Sequence, residues 1–319
     1  MRCTDLLFPF VPSCLLDESS PSINIKVWLQ NGDFELDSSS AGAQRPVIRN
    51  ATRSFESTLA REVDRFLCAM GESFSEVQPS QFANRSIGWA LIRAYYSSYF
   101  AAHAILRMTG RCVTQIDSQL SQSVMRTLLS TGPAPAWTIG RSHYLIRYDE
   151  VQQLLVFEDK HTPQGGSHQF VWKKFGELIS ELITSSAPLG SAYQPEILLL
   201  SRISDTLTAQ QGFTDYSWLS TVRNSVNYTF SHSVWFPFDG MDNRQAAKLI
   251  RQLKCDGSVD FLVTSPKTQT DLEKFCEATS FIVSFANAAS NTIARRSTAK
   301  PFIYKSYRKL QRLINFPVQ

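Results

Sequence analysis

The chain has 319 residues, 43% of them hydrophobic and 19% charged, with a formal net charge of +4. That length allows one large domain or two ordinary ones, and that composition supports a packed core, which excludes a disordered chain. Apolar runs such as Ile197-Leu198-Leu199-Leu200 fall far short of the roughly 18 residues a membrane span requires, so no membrane is expected.

The mild positive charge does not by itself indicate nucleic acid. Its distribution is uneven, with Arg295, Arg296, Lys300, Lys305, Arg308, Lys309 and Arg312 gathered near the end. This reads as a solvated last helix, with a phosphate-facing surface as the alternative. Cys3, Cys14, Cys68, Cys112, Cys255 and Cys276 are scattered, with no C-x-x-C pair and no histidine at metal-ligand spacing. They are expected to be reduced thiols of a cytoplasmic protein, with no metal site and no cofactor. The opening run Leu6-Leu7-Phe8-Pro9-Phe10-Val11-Pro12 imitates a signal peptide, but its prolines interrupt it and no small-x-small cleavage site follows.

Residues 22–37 alternate apolar and polar around Asn31-Gly32, the strongest short-range signal for a β-hairpin. A linker follows at Asp37-Ser38-Ser39-Ser40-Ala41-Gly42. Helical periodicity then begins: one helix from Arg49 to Ala69, stopped at Gly71, and a second from about Pro79 to Met108, ended by Gly110. A shorter helix is expected over 116–129. The β-branched and aromatic stretch at 142–158 reads as a second hairpin or an irregular excursion. Helices resume near 168–185, 194–210, 215–231, 242–253, 268–298 and 301–314. The fold class expected is mainly α, with residues 1–45 as a β-hairpin appendage and 46–319 as a helical domain carrying an insertion near 140–166.

Two segments stand out for chemistry. In the 215–231 helix, Thr214 or Asp215 can cap the start, and Trp218, Leu219, Val222, Val226 and Phe230 form the apolar stripe, with Pro237 ending the run. Arg223, Asn224, Asn227 and Tyr228 lie beside that stripe, where a partner helix would partly bury them. A buried arginine needs an anion or several acceptors; a structural ion pair or an RNA phosphate meets the need. Upstream, Arg93-Ala94-Tyr95-Tyr96-Ser97-Ser98-Tyr99-Phe100-Ala101-Ala102-His103 combines aromatics with small residues that allow close helix approach. Core packing accounts for most of it. Arg93, Tyr96 and His103 nevertheless fall near one side.

Taken in this order, the two segments resemble the signature helices of the HEPN superfamily, small helical domains that often bind or cleave RNA. The resemblance implies a HEPN-like bundle and a metal-independent endoribonuclease or RNA-binding effector of prokaryotic toxin or anti-phage type. It implies a homodimer in which two arginine helices build one site, with an antitoxin or other partner subunit also implied. Arg223 and Asn224 match the family's Arg-Asn start. Tyr228 stands where a histidine is expected, and a phenol is a poor base at neutral pH, though it can bond to a phosphate or stack on a base. If the chain cuts RNA, His232 or His103 must supply the base. His232 follows Arg223 by nine residues, nearly opposite on an unbroken helix, so it needs an early helix end. The expected catalytic set is Arg223, Asn224, Tyr228, His232 and His103, with Arg93, Tyr96 and Asn227 on RNA. The alternative is a non-catalytic interaction module or structural subunit that holds a partner protein or nucleotide.

Overall fold

The structure, a computed structural model, describes residues 3–16, 23–37, 42, 45–77, 87–161, 166–208, 215–235, 240–253, 255, 269–297 and 303–313. In chain order its elements are α1 (Cys3–Leu7), α2 (Ile25–Asn31), β1 (Glu35–Leu36), β2 (Val47–Arg49), α3 (Ser54–Ser75), α4 (Ile87–Met108), β3 (Arg111–Ile116), α5 (Ser118–Thr131), β4 (Ser142–Asp149), β5 (Leu154–His161), α6 (Ser167–Ser186), α7 (Gln194–Thr208), α8 (Trp218–Tyr228), α9 (Asn243–Gln252), α10 (Asp271–Arg296) and α11 (Ile303–Leu313). The protein is mainly helical, with one small antiparallel sheet.

Helix α4 is the axis of the assembly. Ala90, Ala94, Ser97, Ser98, Ala101 and Ala102 are all buried, and such small side chains let neighbouring helices approach closely. Helices α3, α6, α8 and α10 pack around it. Ser97 Oγ donates to the Met70 carbonyl of α3 at 2.8 Å, so even the polar atoms on this seam are used. Helix α10 is buried along nearly its whole length and opens with a reciprocal cap between Thr270 and Glu273. Buried residues of helices, sheet and N-terminal segment, such as Leu7, Trp28, Phe55, Ile146, Phe175 and Phe281, form one apolar cluster.

The sheet order is β1-β2-β5-β4-β3, antiparallel throughout. Of the two readings of 142–158, a second hairpin or an irregular excursion, the hairpin is formed: β4 pairs with β5, Ile146 opposite Phe157. The strand β3 was not expected. Gly110, left-handed at φ 70, turns the chain straight from α4 into it. A Cβ at Gly110 would sit 3.2 Å from the Tyr148 carbonyl, so glycine suits both the dihedral and the close strand.

The hairpin expected at 22–37 is not formed. Residues 25–31 are helix α2, capped by Asn24 Oδ1, which accepts from the Val27 amide at 3.0 Å. Gly32, left-handed at φ 78, ends it. A hairpin turn and a helix C-cap both demand a left-handed residue, so Asn-Gly marks either one. Burial decides between them: Ile25, Trp28 and Leu29 enter the core at helical spacing. The strand that does form, β1, pairs with β2 instead. Two further boundaries differ. Helix α3 runs through buried Gly71 to Ser75, and the 116–129 helix becomes α5, whose start is capped by Asp117. Residues 38–41, Pro79, Thr214 and Pro237, with their expected linker, helix start, cap and stop, lie outside the described residues.

Candidate active site

Helix α8 starts at Trp218 after a tight turn in which Asp215 Oδ1 accepts from the Ser217 amide at 3.1 Å and its hydroxyl at 2.6 Å. Asp215 therefore organises the turn before the helix rather than capping the helix itself. Trp218, Leu219, Val222 and Val226 enter the core, which brings Arg223 under cover against α4. Arg223 is 7% exposed. Its guanidinium carbon lies 5.2 Å from the Tyr95 ring, 5.4 Å from Tyr96 and 5.9 Å from Tyr228. One terminal nitrogen donates to Asn224 Oδ1 at 2.8 Å and the other to the Tyr96 hydroxyl at 3.3 Å.

Every named partner of this cation is neutral. Among the described residues no carboxylate lies within ion-pair distance of Arg223, and its buried Nε has no hydrogen-bond partner. Neither α4 nor α8 contains an aspartate or glutamate. A desolvated guanidinium with only dipoles around it is a site that an anion completes.

The histidine beside it is one that sequence reasoning missed. His168, in the first turn of α6, places Nε2 3.4 Å from the Arg223 guanidinium and Nδ1 2.9 Å from the Tyr95 hydroxyl. Guanidinium nitrogens only donate, so Nε2 must face Arg223 as a lone pair and Nδ1 must carry the proton. The Tyr95 hydroxyl then accepts from His168 Nδ1–H and from Trp172 Nε1–H at 3.1 Å, and donates to Ser220 Oγ at 3.3 Å. Its capacity is filled, and the tautomer is set from behind. Tyr99 stacks on the imidazole at 4.3 Å. Burial first, and the Arg223 charge second, hold His168 down at about 4; the positive end of α6 acts in the same sense. Burial pushes the Tyr95 phenol up, so it stays protonated.

The histidines expected to approach Arg223 do not. His103 is buried on α4, stacked on Phe66 at 4.6 Å, and its Nδ1 accepts from Arg107 at 2.8 Å. Tyr99 stands between it and His168, touching both rings. Burial holds its pKa well below the usual histidine range, and its lone pair is used by Arg107. His232 follows an early helix end, as expected, but is exposed and meets Ser225 Oγ at 3.1 Å. Arg93 pairs at 2.6 Å with Glu76 near the surface, away from the guanidinium cluster. Tyr96 and Asn224 touch Arg223, Tyr228 covers it from the solvent side, and Asn227 lies one turn along α8, half-buried. The signal for His168 was its place on the apolar stripe of α6, in line with Trp172 and Phe175.

Among the described residues no cluster of three or more His, Cys, Asp or Glu could hold a metal ion, and no helix is long and apolar enough to cross a membrane. Comparison with protein-family models, with curated proteins and with solved structures returns no match.

Proposed function

We propose that the chain is a HEPN-like protein that binds RNA and cleaves it without a metal, Arg223 holding the scissile phosphate and His168 serving as general base. The observation that carries this reading is the buried Arg223, with an unpartnered Nε, no carboxylate within ion-pair distance among the described residues, and an acceptor-poised imidazole nitrogen 3.4 Å away. The resemblance of the two signature segments adds the context. It makes the protein a cytoplasmic toxin or anti-phage effector, paired as a homodimer or held by an antitoxin.

The chemistry follows from the wiring. A phosphodiester oxygen on the guanidinium engages Nε and offsets its charge. That removes one of the two effects that depress His168, so the bound substrate itself raises the base towards its working range. Nε2 takes the 2′-hydroxyl proton, the 2′-oxygen bonds to phosphorus, and the bond to the 5′-oxygen breaks. The 5′-oxygen leaves with a proton from water, and the imidazolium later returns its own. The products are a 2′,3′-cyclic phosphate and a 5′-hydroxyl. Asn224 and Tyr96 orient the guanidinium, and Tyr95, Trp172 and Ser220 orient the imidazole.

The test is cleavage of a mixed RNA pool in EDTA. Arg223→Ala should lower the rate by about 10²–10³-fold, the usual cost of removing one group that stabilises transition-state charge. His168→Ala should lower it by about 10²–10⁴-fold. His232→Ala should leave it unchanged, and His103→Ala should lower the melting temperature first. If His168→Ala cuts at the wild-type rate, the assignment of the base is wrong. A second reading rests on the low proton affinity of His168: an imidazole held at about 4 accepts protons poorly, and the same cleft can bind a phosphate without cutting. Wild-type protein that retains RNA and releases no cyclic-phosphate ends would select that reading.

A further inference from the structure

We propose that the aromatic face beside Arg223, made by Trp89, Tyr228, Phe230 and Trp235, is a base-stacking platform that restricts the ligand to single-stranded RNA; this rests on the phosphate-binding reading of Arg223. The three aromatic side chains most open to solvent among the described residues are Trp89 (56% exposed), Tyr228 (67%) and Phe230 (67%), and all three lie at this end of the α4–α8 pair. Trp235 joins them, its ring centroid 5.3 Å from Trp89 and 6.3 Å from Phe230. Its Nε1 donates to the Val226 carbonyl one turn beyond Arg223, which ties the face to the arginine helix.

The face is built, not accidental. A Cβ on Gly88 would fall 2.7 Å from the Trp235 ring, so the first turn of α4 has room for the indole only because residue 88 is glycine. The loop between Tyr228 and Trp235 holds three non-glycine residues in the left-handed region, Phe230 (φ 50), His232 (φ 73) and Ser233 (φ 51). Each is a strained backbone state that persists only where surrounding bonds impose it. The Gly88 amide donates to the Val234 carbonyl at 3.1 Å, and Thr229 Oγ1 donates to the Ser225 carbonyl at 2.8 Å. Both Tyr228 and Phe230 are exposed, 67% each, on this stretch.

Charge selects the occupant. Neither helix carries a carboxylate, Arg93 at the edge is matched by Glu76, and among the described residues the Arg223 cation beside Tyr228 has no carboxylate within ion-pair distance. A peptide offering only apolar side chains would leave that cation unanswered. An unstacked nucleotide supplies a π-face for the platform and a phosphate for the guanidinium within one unit. Paired bases hide their faces in the duplex, so the preference is for single strands.

The experiment is equilibrium binding of fluorescent, uncleavable 2′-O-methyl oligo(U) and of a blunt duplex of equal length, across a salt series. Trp89→Ala and Phe230→Ala should each weaken single-strand binding by about 5- to 100-fold with the salt slope unchanged, because stacking releases no counterions. Trp89→Phe should restore most of it. Arg223→Ala should weaken binding and flatten the slope by about one. Both side chains are exposed, so the alanine variants should melt as wild type does. If they bind normally while Arg223→Ala does not, the platform is wrong and the phosphate site stands; if wild type binds no oligonucleotide, both readings fall. Equal affinity for the duplex would overturn the platform, as would sedimentation showing that the alanine variants convert a dimer to monomers, since the face would then join two copies of the chain.

Discussion

His168 and Arg223 make opposite demands on a proton. Burial first penalises the charged imidazole and the guanidinium then repels a proton from Nε2, so His168 is neutral at neutral pH. The consequence is a pH profile unlike that of an ordinary histidine base. For kcat/KM, which reports the free enzyme, the acid limb should lie near 4, with a plateau above about 6. For kcat the limb should move upward, because bound phosphate offsets the Arg223 charge. An acid limb in kcat/KM at the ordinary histidine position near 6.5 would show that the titrating base is not the one beside Arg223. Arg223, Asn224 and Tyr96 were legible in the sequence because their partners lie on the two segments that drew attention. His168 was not, since its approach depends on where α6 crosses α4.

At the scale of elements, the site depends on how α6 and α8 meet. Tyr216, left-handed at φ 58 in the turn before α8, lays its ring on Gly176 in the middle of α6 and brings its hydroxyl 3.1 Å from Ser180 Oγ. A Cβ at Gly176 would fall 2.2 Å from that ring. Gly176→Ala should therefore cost about 1–3 kcal/mol by overpacking, despite the better helix propensity of alanine. It should also displace the turn that sets the register of α8. Thermal unfolding should show a lower midpoint, and RNA cleavage should fall by more than the unfolded fraction explains. An unchanged midpoint would mean that Tyr216 swings away freely and does not position α8. The α2 segment carries a related lesson: Asn31-Gly32 specified a left-handed residue, and the packing of Trp28 on Phe55 at 5.0 Å decided which element it ended.

Across the whole molecule, α4 carries the aromatic neighbours of Arg223 in its first half and, about one turn beyond His103, a buried ion network. Arg107 Nε donates to Glu62 of α3 at 3.0 Å and another of its nitrogens to the Val113 carbonyl of β3 at 3.1 Å, with its guanidinium carbon 4.3 Å from the centre of the Phe66 ring. Both charges are almost fully covered, 2% and 1% exposed. Removing one partner strands the other in a low-dielectric interior, so Glu62→Ala should destabilise the protein by about 3–5 kcal/mol. Chemical denaturation would register this as a lower midpoint, while oligonucleotide affinity per folded molecule stays at the wild-type value. A loss below about 1 kcal/mol would mean that water reaches Arg107 when its partner is gone.

By itself the sequence left the 142–158 stretch as a hairpin or an irregular excursion, and it determined the helical class, most helix positions and the pairing of an arginine helix with a tyrosine-rich one. These follow from local periodicity and from residue types whose burial demands a partner. Which histidine meets Arg223, which strand extends the sheet after Gly110, and whether Asn-Gly turns a hairpin or ends a helix were settled only in three dimensions. His168 and Arg223 are 55 positions apart along the chain and 3.4 Å apart in space. No period or spacing encodes that approach, because it is set by the closeness with which α6 and α8 pack against the small residues of α4.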